Sequence, residues 1–426
     1  MNISTGNRLL IYYIFLILLP SGVSAMDDSP GLLTLSEAER LALDLDPVTK
    51  SFVAKSESLE EQAVADGQLA DPQLKLGVMS LPLDTFDLDQ EPMTQLQVGI
   101  QQSFPPGDTL RYRKERTLAL SETEQARSLE RALDVLRKVR IRYLQVYYQT
   151  VAKNILEENR DLFSRLLEIT QRQYAAGRDN QHDVLRAQLE LSLIDDRILE
   201  ITQSREVAVA ELGKYTGSIA ANRTIPPDFP VLSGIPSLKQ IRDQLVSHPL
   251  IKIEDANLLA SDKKINEVEQ RYKPGFNIEV TYGERSARDV DGSQLPDMLT
   301  AMLMMDLPIF TDKRQDRQLA AAKKANVAMQ FTRTDRLLEI SSMAEAEYAN
   351  WQRLTDRLTL YEKRAVADAK MNADSTLKAY QNDVADFTTL MRAKLTELDT
   401  YLGMLNVRVE RAKVQSKLLY LTGELK

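Results

Sequence analysis

The chain has 426 residues, with 54 Lys and Arg against 62 Asp and Glu, a net charge of −8 and no cysteine. An acidic balance argues against a nucleic-acid partner, and the lack of cysteine excludes both a disulfide framework and a lipid-modified N-terminal cysteine. Charged residues at 27% and aromatics at 6% suit long, water-exposed helices better than one compact core.

Residues 1–25 read as a removable secretory signal. Arg8 precedes the apolar run Leu9–Leu19, Pro20 and Gly22 break it, and Val23-Ser24-Ala25 supplies small residues for cleavage before Met26. The run is too short to span a bilayer as a helix; an uncleaved anchor is the alternative. A helix pattern starts at Thr34, with Thr34 and Ser36 as capping candidates and Glu37 three residues after Thr34. Pro47 interrupts it. Helix resumes through Val48–Leu69 and stops at Asp71-Pro72, because the residue before a proline avoids helical geometry.

Two strands follow, in a hairpin at about residues 72–105. Leu74, Leu76 and Val78 alternate with Gln73, Lys75 and Gly77, and Leu96, Val98 and Ile100 alternate with Gln95, Gln97, Gly99 and Gln101. A period of two with one apolar face gives a strand wet on one side, at roughly the ten-residue length of an outer-membrane barrel strand. The loop between them is acidic, with Asp84, Asp87, Asp89 and Glu91. After Pro105-Pro106-Gly107 a helix pattern runs from Thr109 to Tyr174. Gly177 breaks it, and another runs from His182 to Tyr215. A Pro-rich connector, 218–236, closes the first half, 26–217.

The second half, 237–426, follows the same order. Ser237 caps a new helix, and Pro249 to Pro274 spans 25 residues, as does Pro47 to Pro72. A second hairpin lies at about 274–308: Phe276, Ile278, Val280 and Tyr282 share one face, Asn277, Glu279, Thr281 and Gly283 the other. In the fourth strand Leu299, Ala301, Leu303 and Met305 alternate with Met302 and Met304. A long helix is predicted from Asp312 to Tyr380 and a last one up to Thr422-Gly423. Tyr174 and Tyr380, Ala187 and Ala393, and Gly217 and Gly423 each differ by 206 positions, which marks a duplicated unit.

Val184, Ala187, Leu191, Ile194, Ile198, Ile201, Arg205, Ala208 and Leu212 step by threes and fours, and Leu395, Leu398, Leu402, Leu405 and Val409 do the same. That spacing is the seam of left-handed packed helices, or an ordinary core stripe. Four membrane strands cannot close a barrel, and an open edge in hydrocarbon leaves unpaired backbone groups costing several kcal/mol each. The expected architecture is therefore mainly α with a small transmembrane β part, completed by copies of the same chain.

Ala70-Asp71-Pro72, Gln102-Ser103-Phe104-Pro105, and Tyr174-x-x-Gly177 followed by Asp183-Val184-Leu185-Arg186-Ala187 resemble signatures of the TolC family of outer-membrane efflux channels. The resemblance implies a homotrimer with an α-helical barrel continued by a 12-strand β-barrel, in the outer membrane with a large periplasmic part. It also implies docking through a periplasmic adaptor onto an inner-membrane RND-type pump. Leu81-Pro82-Leu83-Asp84, Glu91-Pro92-Met93-Thr94 and the run from Gln102 to Asp108 are similar to the heavy-metal cation-efflux branch (CusC/CzcC-like), which implies copper, silver, zinc, cobalt or cadmium as cargo. Drug or protein export by the same architecture, or a non-pore periplasmic coiled-coil adaptor, are the rivals.

In the family the breaks between paired helices form the periplasmic tip, where the adaptor docks and the tube narrows. Tyr174, Gly177, Asp183, Arg186, Tyr380, Asp383, Asp386, Thr389 and Arg392 are the candidates here. The family prototype has an acidic pair where this chain has Thr389 and Arg392, so that gate does not carry over unchanged. Gln95, Gln97, Gln101, Asn277, Glu279, Met302 and Met304 are the lumen-facing strand candidates. Thioethers bind soft Cu(I), but methionine also fills strands against lipid. His182 and His248 stand alone, and no catalytic residue, cofactor or resident metal is expected.

Overall fold

The computed structural model describes residues 31–177, 180–382 and 384–424; the signal-peptide expectation and Asp383 lie outside these. The chain begins with helices α1 (Leu35–Leu45) and α2 (Pro47–Asp66), strands β1 (Gln73–Met79) and β2 (Gln95–Phe104), and helices α3 (Thr109–Ala175) and α4 (Gln181–Thr216). A single helical turn, α5 (Ser218–Ala221), sits in what the sequence suggests is plain connector. The order then recurs: α6 (Leu238–Leu245), α7 (Pro249–Glu269), β3 (Phe276–Glu284), β4 (Met298–Met305), α8 (Gln315–Leu360), α9 (Val366–Gln381) and α10 (Phe387–Leu421).

At 67 residues, α3 extends about 100 Å at 1.5 Å per residue. Helices α2 and α4 pack along it from one half of the chain, α7 and α10 from the other. The predicted seams are the packed ones: Ala187, Ile194, Ala208 and Leu212 on α4, and Leu398, Leu405 and Val409 on α10, are buried. Among the described residues no helix is long and apolar enough to cross a membrane.

Three boundaries depart from the sequence expectation. Helix α2 ends at Asp66, with Gly67 N–H capping back to Ala63, so residues 67–72 enter the strand irregularly. Ser36 lies inside α1, and Thr34 alone caps it, accepting from Glu37 N at 3.3 Å. The expected unbroken helix from Asp312 to Tyr380 starts at Gln315 and contains a π-helical turn, Tyr361–Ala365, between α8 and α9. Opposite that turn, a Cβ on Gly403 of α10 would meet Tyr361 Oη at 3.1 Å, so the glycine makes room for the ring. A π turn inserts one extra residue without ending the rod.

The helix breaks at Pro47 and Pro249 are built alike but with different chemistry. Asp46 caps α2 through Thr49 N at 2.8 Å and takes two hydrogen bonds from Arg131 of α3, at 2.8 and 3.1 Å. Burial opposes its charge, but the bonds from Arg131 and Thr49 outweigh it and hold the carboxyl at about 2. At the matching place, fully buried His248 accepts from Leu250 N at Nδ1 and donates from Nε2 to Tyr420 O at 3.0 Å. Both ring nitrogens are thus used by the neutral imidazole, and burial pushes its pKa below the ordinary value.

A lowered histidine pKa means that the unfolded chain takes up the proton first as pH falls below about 6.5. The stability contributed by His248 is therefore complete above that pH and declines below it. The melting-temperature advantage of the parent protein over His248→Asn should shrink between pH 7 and pH 5. A constant difference in thermal unfolding across that range would contradict this.

Candidate functional site

The four strands form one antiparallel sheet in the order β1-β2-β3-β4. The β2–β3 ladder, from Leu96 opposite Glu284 to Phe104 opposite Phe276, joins the two halves of the chain. Register brings like residues to one face. Leu74 pairs with Ile100, Leu76 with Val98, Ile100 with Val280, Tyr282 with Leu299 and Ile278 with Leu303. This face is open: Leu76 is 72% exposed and Leu299 75%. A contiguous apolar surface of this kind marks an interaction site. The outer edges of β1 and β4 pair with no described strand.

The opposite face carries all seven strand candidates. Gln97, Gln101, Asn277, Glu279, Met302 and Met304 lie on it, joined by Lys75, Ser103, Thr281 and Thr300. Gln95 shares the face but is covered at 4% exposure, lying across Gly283, where a Cβ would meet its Oε1 at 2.3 Å. Met79 and Met298, not among the lumen-facing candidates, share this face, and their sulfurs accept from Gln97 Nε2 at 3.0 Å and Gln95 Nε2 at 3.2 Å. It also missed the ion pair between Lys75 Nζ and Glu279 Oε2 at 2.5 Å. Beyond the strands, Arg285 donates to Pro92 O at 3.4 Å and Pro296 O at 2.8 Å, tying the two hairpin loops together.

At the far end of the rods, α3, α4, α9 and α10 share a cluster containing Phe163, Leu166, Ala187, Ile194, Tyr380 and Phe387. Gly177 takes φ +72° and its N–H bonds Tyr174 O at 2.9 Å, closing the first turn in a conformation that favours glycine. The matching tyrosines differ. Tyr174 is 47% exposed, whereas Tyr380 is buried, donates to Gln173 Oε1 at 2.6 Å and packs edge-on against Phe387. Asp386 caps α10 by accepting from Thr389 N at 2.6 Å. Hydrogen bonds from Thr389, with the nearby Arg392 charge, hold its carboxyl below the usual range.

Thr389 and Arg392 lie exposed on the first turns of α10, and Asp183 and Arg186 are half-buried on the first turns of α4. Four ion pairs that the sequence reading missed lie nearby, three of them between helices. Buried Lys394 meets Asp374 at 3.7 Å and Glu397 at 2.9 Å, Arg160 meets Asp195 at 2.5 Å, and Arg197 of α4 meets Asp399 of α10 at 2.8 Å. Only the Lys394–Glu397 spacing of three was visible in the sequence; the rest need the register between helices. Among the described residues no group of three or more His, Asp or Glu is placed to hold a metal.

Replacing Asp386 by Ala should speed amide exchange at residues 387–390, while Asp386→Asn, which still accepts from Thr389, should leave it near the parent rate. Equal exchange in the two variants would show that the cap is not what orders this turn.

Residues 40–218 match the family model described as Outer membrane efflux protein. A comparison with curated proteins finds no match. Among solved structures, VceC of Vibrio cholerae aligns with a TM-score of 0.76 at 15% identity, over 91% of this chain and 96% of that one. CusC, described with the folding and formation of a transmembrane channel, aligns at 0.76 and 15% over 92% of each chain. The open state of the Neisseria gonorrhoeae MtrE outer membrane channel aligns at 0.72 and 17%, over 92% of this chain and 89% of that one. The family match covers residues 40–218, and the likeness to these solved structures shows a shared fold over about nine-tenths of the chain.

Proposed function

We propose that the protein is the outer-membrane conduit of a tripartite efflux system, a passive path from a periplasmic adaptor and an inner-membrane RND-type pump to the exterior. The observation that carries this is the sheet: four strands, one apolar face and two unpaired edges. Such a sheet is stable in hydrocarbon only when its edges are closed by further strands. Three copies give a 12-strand barrel, within the range of bacterial outer-membrane barrels. The polar face then lines the lumen, the apolar face meets lipid, and the rods extend the tube into the periplasm. The order of elements, repeated in residues 26–217 and 237–426, fits an internal duplication.

The tip candidates Tyr174, Gly177, Asp183, Arg186, Tyr380, Asp386, Thr389 and Arg392, with Asp383, are assigned to the narrow periplasmic end and to adaptor docking. A closed gate held by ion pairs and hydrogen bonds is supported by the mixture of acids and arginines there. Heavy-metal cations are the proposed cargo, supported by the Leu81-Pro82-Leu83-Asp84 and Glu91-Pro92-Met93-Thr94 motifs.

Purified in mild detergent, the protein should be a trimer whose gel migration changes on heating, and a stable monomer would overturn the proposal. In planar bilayers, Arg392→Glu should raise single-channel conductance; unchanged conductance would remove Arg392 from the gate. Deleting the gene should lower tolerance to copper, silver, zinc or cobalt while leaving detergent tolerance intact, and the opposite pattern would favour export of drugs or proteins.

A further inference from the structure

We propose that Lys75 sets the charge selectivity of the β-barrel by neutralising Glu279 inside the lumen. The inference rests on the conduit reading. Of the strand residues on the polar face, Lys75 and Glu279 are the only two that ionise; the others are Gln, Asn, Ser, Thr, Gly and Met. They belong to β1 and β3, separated by β2, and they meet at 2.5 Å. The crossing is diagonal. Lys75 stands opposite Gly99, while Glu279 stands opposite Gln101.

Gly99 is what opens the way. A Cβ there would come within 2.5 Å of Thr281 Oγ1, so any side chain at 99, opposite Lys75, would crowd the threonine that bonds Glu279. Thr281 Oγ1 adds a hydrogen bond of 3.2 Å to the second carboxylate oxygen of Glu279. The carboxylate is thus held from both sides, with its side chain 18% exposed against 44% for the lysine. The acidic loop above, with Asp84, Asp87, Asp89 and Glu91, has no comparable basic partner among its described ion pairs.

In a closed trimer the three Glu279 residues lie at one height. Unpaired, they would form an anionic ring that attracts cations and retains them, and conduction requires that a bound ion also leave. Paired with Lys75, the ring has no net charge. The mouth then draws cations in, and the barrel lets them pass without a trap.

The absence of cysteine allows a local test. In Gln101→Cys, the single thiol stands beside Glu279 across the β2–β3 ladder, within the screening length of about 8 Å. The readout is the ratio of its reaction rates with a cationic and an anionic methanethiosulfonate reagent. Because both reagents share the same thiolate, the ratio reports the potential alone. Lys75→Met should raise the ratio by about threefold or more, Glu279→Gln should lower it by a similar factor, and the double variant should return it to the parent value. An unchanged ratio in either single variant would overturn the inference. Glu279→Gln is nearly isosteric and carries the test by itself if Lys75→Met fails to assemble. The conduit reading is scored separately: modification of the thiol of Gln101→Cys in planar bilayers should reduce conductance, and if it does not, position 101 does not line a conducting lumen.

Discussion

A sheet with two free edges and an apolar face is stable only in particular surroundings. In water the apolar face is unfavourable; in hydrocarbon the unpaired N–H and C=O groups are. Closing the edges with further strands meets both demands at once, and the consequences run down the helices. The base of the sheet is tied across the two halves of the chain, where Asp108 N donates to Gln270 Oε1 at 3.1 Å, and within the second half, where Asp306 N donates to Gly275 O at 3.0 Å. The strands therefore fix where α3 and α8 leave the sheet. Leu185, Leu189 and Leu193 of α4, and Phe331 and Leu338 of α8, are exposed along the rods. These are the side chains that neighbouring rods would cover once the edges of the sheet had joined.

The two halves share an order of elements but divide the physical work. Helix α3 is the hub, packed by α2, α4, α7 and α10, and buries a long series from Ala119 to Thr170. Helix α8 buries far fewer residues. The junctions differ accordingly. Asp46 is tied to the hub by a charged bidentate pair with Arg131, a strong geometry when both partners are ionised. His248 bonds the backbone of α10 and packs edge-on against the Tyr420 ring, without an ionic partner there among the described residues. Tyr420, whose carbonyl it bonds, donates its hydroxyl to Glu130 of the hub at 2.8 Å. A charged anchor and a neutral one thus seat the same helix break against different neighbours.

Elements set by local chemistry were readable in advance. Alternation in the strands, the helix break at Pro47, Thr34 and Ser237 as caps, Gly177 at the turn and the heptad seams all depend on residues within a few positions of one another. Features set by helix register were not. The π turn needs Tyr361 opposite Gly403, the tip needs Tyr380 beside Gln173, and Lys75 and Glu279 are 204 positions apart. The candidate strand residues were legible as a face because a period of two survives in sequence. Their pairing was not, because the order of strands across the sheet does not.

The methionines of the polar face show how such a wall can contact soft ions without holding them. Gln97 and Gln95 already donate to the sulfurs of Met79 and Met298, so those thioethers are engaged. Met302 and Met304 carry no such hydrogen bond among the described contacts and stand at alternate positions of one strand. Tight binding of a soft cation needs several sulfur ligands converging on one point. In the proposed barrel the three copies of each methionine lie on separate walls, so thioethers of different copies do not converge on one ion. A neutralised carboxylate beside no more than the Met302 and Met304 pair of one wall gives contacts weak enough to exchange. A passive path needs that property when its driving force is supplied from outside the barrel.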